Sequence, residues 1–397
     1  MKNKKIMCII APLIIGGTFL FGLDKSIDYG IDNLLKKKDL VPIMNDSLSL
    51  VKDKGLKIND QFLKNGEIMM IGSSELSHGL KQHPTYYFNN NRSKDGTFII
   101  GRAYTQSLQD STIIGSVNPN IKDKKVVLLV SMQWFMDQDG VTKNHFQTRF
   151  SPVQFYSFLD NPKISKENKV KFINRVSELL TEAGEFKPEL AYSKLYEPKT
   201  MLAKIEKALL SPYFKARQYL VGLKDRGILL KTLIKSPDKK GEKPYKPVDW
   251  NYEMENAIKD AKKRVGNNEL KIDRMYFNKN FGKELYKLKD RDKDVNLMKS
   301  REFDDYQLTL DVCKELNIKP TIVMLPSMDK FYNLTGISKE ERHEFYDKAG
   351  SMAKDKGYKV IDLRDKETED YYLKDVMHLG TKGWVDVCEK LFKEFNE

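Results

Sequence analysis

The run VVLLV at 126–130, within KKVVLLVSMQWF (124–135), constrains the fold more than any other feature of the chain. Five β-branched or leucine residues in succession leave no polar face, so the segment reads as a strand buried on both sides. Such strands belong to parallel sheets, whose crossover helices cover them. Three further segments read as strands: IMMI at 68–71, IKPTIVMLPSM at 318–328 with Pro320 and Pro326 as its bounds, and GYKVIDL at 357–363. A helical pattern follows Ser338, with Glu341 three residues on as a capping box, and runs to about Lys356. Strand, helix and strand in that order make a βαβ unit. The expected fold is therefore α/β, a parallel sheet flanked by helices.

Between the second and third of these strands the strand signal nearly vanishes. Ser165 caps a pattern carrying Val170, Ile173, Val176, Leu179 and Leu180 at helical spacing. KTMLAKIEKALLSPYFKARQYLVGL continues in that vein, KSPDKKGEKPYKPVD (235–249) is a loop, and helices resume at Trp250 and again near Asp294. Residues 141–317 thus form a large helical insertion between two parts of an α/β core, 67–140 and 318–397. An amphipathic helix from about Thr381 closes the chain, and residues 44–64 read as a polar helix within a 24–66 linker.

The N-terminus bears on location. Lys2, Lys4 and Lys5 precede an uncharged stretch from Ile6 to Leu23, 18 residues long, at the short end of a membrane span. No small-x-small cleavage site follows it, so it reads as one uncleaved transmembrane helix (6–23) behind a cytoplasmic tail (1–5). Asp24, Asp28 and Asp32 outnumber Lys25 just beyond, which places the N-terminus in the cytoplasm and the large domain outside. Lys and Arg exceed Asp and Glu by 69 to 56, a net charge of +13. That excess suits an anionic partner such as lipid headgroups or a phosphate polymer, or simply a lysine-rich solvated surface. No zinc-finger, RNA-recognition or basic-zipper pattern supports nucleic acid. Of three cysteines, Cys8 lies in the anchor; Cys313 and Cys388 fall in helices, as two buried thiols or a pair.

The chemistry centres on Gly72-Ser73-Ser74, the turn at the carboxyl end of the first strand, where open α/β sheets bind ligands. A serine nucleophile needs a base, and the base needs a third group to hold its tautomer. The five histidines are His78, His83, His145, His343 and His378. The first four lie in polar loops, on charged faces or at the start of the insertion, where solvated or capping roles suit them. His378 differs. It stands in DYYLKDVMHLGTKGW before the last helix, with Asp375 three residues upstream, within reach of Nδ1. A nucleophile elbow is excluded because Gly72-x-Ser74-x-Leu76 lacks the second glycine. No His-Glu-x-x-His or cysteine cluster suggests a metal, and no cofactor is expected.

Gly72-Ser73-Ser74 ending the first strand, with Asp375-x-x-His378 near the C-terminus, resembles the SGNH (GDSL) esterase and acyltransferase family. GSSEL, GRAYTQSL (101–108), SMQWF (131–135) and the single N-terminal anchor together resemble its DltD branch in Gram-positive bacteria. The resemblance implies an SGNH-like sheet and a catalytic Ser74, His378 and Asp375. Gly101 matches the glycine of the family's oxyanion hole. Gln133 stands where the family has an asparagine, its amide donating from a longer arm, unless Trp134 faces the pocket in its stead.

The same resemblance implies D-alanyl transfer to lipoteichoic acid outside the cell. Its implied partners are the polymer, a membrane-bound O-acyltransferase and the D-alanyl carrier protein. Two alternatives stay open on the sequence: a non-catalytic anchor that recruits the carrier or the acyltransferase, and a cell-envelope esterase or thioesterase. Transferase and esterase share every residue named; they differ in whether water is kept from the acyl-enzyme.

Overall fold

The computed structural model describes residues 2–77, 79–89, 91–241 and 244–396, with side chains from residue 14 onward. His78 lies outside the described residues, and so does the side chain of Cys8.

Five strands, β1 (Ile68–Gly72), β2 (Thr97–Gly101), β3 (Val126–Val130), β4 (Thr321–Met324) and β5 (Lys359–Asp362), form one sheet in the order β2-β1-β3-β4-β5. Every pairing is parallel. The first four strands are buried along their whole length, and β5, at the edge, is partly exposed. Four of the five were expected. The unforeseen one is β2, Thr-Phe-Ile-Ile-Gly, whose Phe98 ring meets Phe62 with centroids 5.0 Å apart.

The helices that matter here are α1 (Lys2–Lys37), α2 (Ser107–Ser116), α3 (Pro152–Asp160), α4 (Lys166–Leu179), α5 (Met201–Lys235), α6 (Glu302–Glu315), α7 (Lys339–Lys354) and α8 (Thr381–Asn396). Side-chain caps start α3, α4, α5 and α7, from Ser151, Ser165, Thr200 and Ser338. Ser165 Oγ accepts the Asn168 N–H at 3.2 Å, and Ser338 Oγ accepts that of Glu341 at 3.1 Å. Glu341 does not complete the box; its carboxylate accepts the Leu297 N–H instead. Helix α2 is buried in every residue, so it packs as a core rod and not as an amphipathic surface helix. Phe135, just past β3, packs its ring against Phe303 of α6 and Phe345 of α7. Between β3 and β4 the described residues hold helices and no strand.

Two expectations need correction or limits. Residues 44–64 are not one helix but pieces: Val41–Asn45, Leu50–Asp53 and Lys57–Lys64. Asp46 accepts the Leu48 N–H in a side-chain turn, and at Gly55 a Cβ would collide with the Val51 carbonyl, so the chain bends at both places. The expected anchor lies within α1, with the side chains of 6–13 outside the described set. Among the described residues no helix is long and apolar enough to cross a membrane. Cys313 and Cys388 are separate buried thiols.

Glu67, which leads into β1, makes the fold sensitive to pH. Burial pushes its carboxyl up to about 7, although the Gly96 N–H pulls the other way. A carboxyl with a raised folded value holds its proton in the native state after the unfolded chain has released it. The associated stability is complete below about 4.5 and is lost as pH rises through about 7. Glu67→Gln should flatten that slope, adding on the order of 3 kcal/mol at alkaline pH relative to the parent. Urea titrations at several pH values would measure it, and parallel curves for both proteins would refute it.

Candidate active site

The strand order reverses beside β1, and ligands of such sheets bind where it does, at the carboxyl ends. Ser74 begins a single 3₁₀ turn (Ser74–Ser77) directly after β1. The turn is held from below. Ser73 N–H donates to the Glu75 carboxylate at 2.6 Å, and Ser73 Oγ donates to the Arg102 carbonyl at 3.2 Å. Gly72 and Gly101 end their strands in register with each other. A Cβ on Gly101 would lie 2.8 Å from the Ser73 carbonyl oxygen, and one on Gly72 would displace the Glu75 carboxylate from the Ser73 N–H.

The last loop brings Asp375 and His378 to Ser74. Lys374 N–H donates to the His378 carbonyl, and Gly380 N–H to that of Tyr372, each at 2.8 Å, so Asp375 and His378 share a tight turn. Asp375 accepts the backbone N–H of Met377 at 3.0 Å and of His378 at 2.8 Å, as well as the His378 ring at 2.8 Å from Nδ1 to Oδ2. Burial alone would raise this carboxyl. The ring bond, the imidazole's field and the two backbone donors outweigh it and hold Asp375 below the ordinary carboxylate range. With Nδ1–H donating to Asp375, Nε2 is left as an acceptor, and Ser74 Oγ lies 2.7 Å from it.

Ser74 and His378 face a cavity of about 450 Å³ whose walls include Gln133, Trp134, Tyr104 and His145. Gln133 and Trp134 thus both reach the cavity. Gly101 is not among the cavity walls; the chain just after it, at Ala103 and Tyr104, is. Among the described residues no cluster of three or more His, Cys, Asp or Glu side chains is placed to hold a metal.

Three site residues had no local signal. His145, read as solvated or capping, instead stacks on Tyr104, ring centroids 3.5 Å apart, at the cavity wall. Tyr104 has φ +71°, the left-handed region that side chains disfavour, and Arg149 Nε donates to the Ala103 carbonyl beside it at 3.0 Å. Glu75, charged on paper, is wholly buried beside Ser74; burial raises its carboxyl, and the Ser73 N–H partly offsets this. The other described histidines, His83 and His343, are placed elsewhere. His83 packs on Trp384, and His343 meets the Glu367 carboxylate at 3.0 Å.

Sheet order and loop geometry define an α/β protein with a serine, a histidine and an aspartate hydrogen-bonded in series at the switch point of a parallel sheet. Comparison with known proteins narrows this. The model of the DltD protein family matches residues 45–396, and the chain belongs to that family. It is 30% identical to Protein DltD of Bacillus subtilis (strain 168) over 86% of each chain. With Protein DltD of Staphylococcus aureus (strain NCTC 8325 / PS 47) it shares 26%, covering 86% of this chain and 84% of the other. With that of Lacticaseibacillus rhamnosus it shares 24%, over 84% and 78%. Membership carries a role in the D-alanylation of teichoic acid, broadly an acyl-transfer process.

Proposed function

We propose that the chain transfers D-alanyl groups to lipoteichoic acid by double displacement at Ser74, on the outer side of the membrane. The hydrogen-bonded series Ser74–His378–Asp375 at the mouth of a cavity carries this reading. Ser74 Oγ attacks the carbonyl carbon of an activated D-alanyl donor and passes its proton to His378 Nε2. The departing group of the donor takes that proton, leaving D-alanyl esterified to Ser74. A glycerol or sugar hydroxyl of the polymer then gives its proton to His378 and attacks the ester. Ser74 leaves and recovers the proton. No ATP enters the exchange, so activation belongs upstream, with a membrane-bound O-acyltransferase and the D-alanyl carrier protein as the partners of the reaction.

The Ser74 N–H and the Gln133 amide are the oxyanion donors in this scheme, and Gly101 serves by letting the turn close. Gln133→Ala should lower transfer roughly 10²-fold or more. Ser73→Ala removes one bond to the Arg102 carbonyl and should keep most activity. D-alanine ester content of lipoteichoic acid, measured in a null strain carrying each folded variant, tests both. Full activity without Gln133, or none without Ser73, would overturn these roles.

The placement outside the cell rests on the lysines before Ile6 and the acidic residues after Leu23. Protease added to intact protoplasts should digest the large domain. A protected domain would reverse the orientation.

A further inference from the structure

The cavity at Ser74 departs from the rest of the protein in charge. Lys and Arg make up 69 of 397 residues and leave a net charge of +13, yet none of the described residues in its walls is a Lys or an Arg. Within a cationic protein, a pocket free of fixed positive charge is where a small cation can be held. Trp134 and Tyr104 add aromatic walls, and ring faces also attract cations.

Two carboxylates stand among the same walls, Glu75 and Asp137. Glu75 is committed: its carboxylate accepts the Ser73 N–H at 2.6 Å, and burial raises its carboxyl toward the neutral acid. Asp137, past β3, is exposed. One of its carboxylate oxygens accepts the Asp139 N–H at 2.9 Å; the other has no partner among the described residues, and no Lys or Arg among them pairs with it. The Asp137 carbonyl accepts the Ser300 hydroxyl at 2.6 Å and the Gly140 N–H at 3.2 Å. These bonds fix the turn and leave one charged oxygen for a ligand.

We propose that Asp137 selects an aminoacyl group, by pairing with the α-ammonium of the D-alanyl unit that Ser74 receives. The nitrogen is attached to the carbon next to the reacting carbonyl, so it lies within the cavity however the acyl group turns. An ammonium there needs a counter-charge, because the surrounding protein is positive and the pocket takes it partly out of water. Asp137 supplies that charge from an exposed position, without the burial that neutralises Glu75. Hydroxyl attack and oxyanion binding do not involve the nitrogen, so Asp137 governs which acyl group is accepted. The inference rests on the acyl transfer at Ser74 proposed above.

The test uses the full-length chain in detergent at pH 6.5, where an α-amino group with an ordinary value of about 8 is charged. In the first measurement, kcat/KM is compared for the 4-nitrophenyl esters of D-alanine and of propionic acid, which differ only by the ammonium. Asp137→Asn keeps an oxygen for the Asp139 N–H and should lower the D-alanyl-to-propionyl ratio about tenfold, the loss of one charge-assisted hydrogen bond. Asp137→Glu should recover part of the ratio. Asp139→Asn makes the same change of charge off the cavity wall and should not move it. An equal ratio in the wild type and Asp137→Asn would overturn the assignment. The second measurement involves no turnover: binding of D-alaninamide and of propionamide to Ser74→Ala, by saturation-transfer NMR. D-alaninamide should bind more tightly, and adding Asp137→Asn should abolish the difference; equal binding of the two amides would overturn the assignment. A wild type that turns over neither ester while this difference persists would count against acyl transfer and leave Asp137 as the ammonium site.

Discussion

Ser74→Ala should abolish acyl transfer, with a loss on the order of 10⁶-fold in a purified assay, and His378→Ala should do nearly the same. The two groups act as a unit. Without the hydroxyl, His378 Nε2 has nothing to deprotonate; without the imidazole, the hydroxyl is a weak nucleophile at neutral pH. The fold should survive, because the turn is held by Ser73, Glu75 and the two strand-end glycines, not by the Ser74 side chain. The measurement is D-alanine transfer by the folded, membrane-associated variant. Normal D-alanylation in a null strain carrying Ser74→Ala would refute catalysis and put a recruiting anchor in its place.

The second large effect is expected at Asp375. Asp375→Asn keeps the size of the side chain and an oxygen for the backbone donors of Met377 and His378. An amide nitrogen can then face His378 Nδ1, favouring the tautomer with its proton on Nε2, where it cannot accept the Ser74 hydroxyl. The expected loss is about 10⁴-fold, smaller than for Ser74 because Asp375 orients the base and does not react. The substitution should also change acid behaviour. A carboxyl held below its ordinary value stabilises the fold above that value, and the contribution disappears as pH falls through the lower, folded one. The variant should lack that step of acid unfolding. Wild-type rates from Asp375→Asn would remove it from the relay.

The parts of the fold and site legible in the sequence are those that short-range chemistry dictates. VVLLV, IMMI and IVML (322–325) could be read as strands because continuous apolar runs of four or five residues have few other uses. Asp375 and His378 stood out because three residues in a turn suffice to join them. β2 was missed because Thr-Phe-Ile-Ile-Gly offers only three apolar residues, and its burial depends on Phe62 from another element. Glu75 and Lys52 look like surface charges, yet both are buried. Lys52 spends its ammonium on the Met44 and Ile99 carbonyls, each at 2.8 Å, and burial pushes it down to about 7. His145 reaches Tyr104 only when the start of the insertion folds back over β2, a contact with no trace in local spacing.

The account stands on Ser74 being a nucleophile activated by His378. Its most direct test is reaction of the full-length protein with a serine-reactive fluorophosphonate, followed by mass spectrometry of the labelled peptide. Catalysis at this site predicts one adduct, on Ser74, absent from Ser74→Ala and strongly slowed in His378→Ala. A folded wild-type chain that takes no label, or one labelled equally well after His378→Ala, would contradict it.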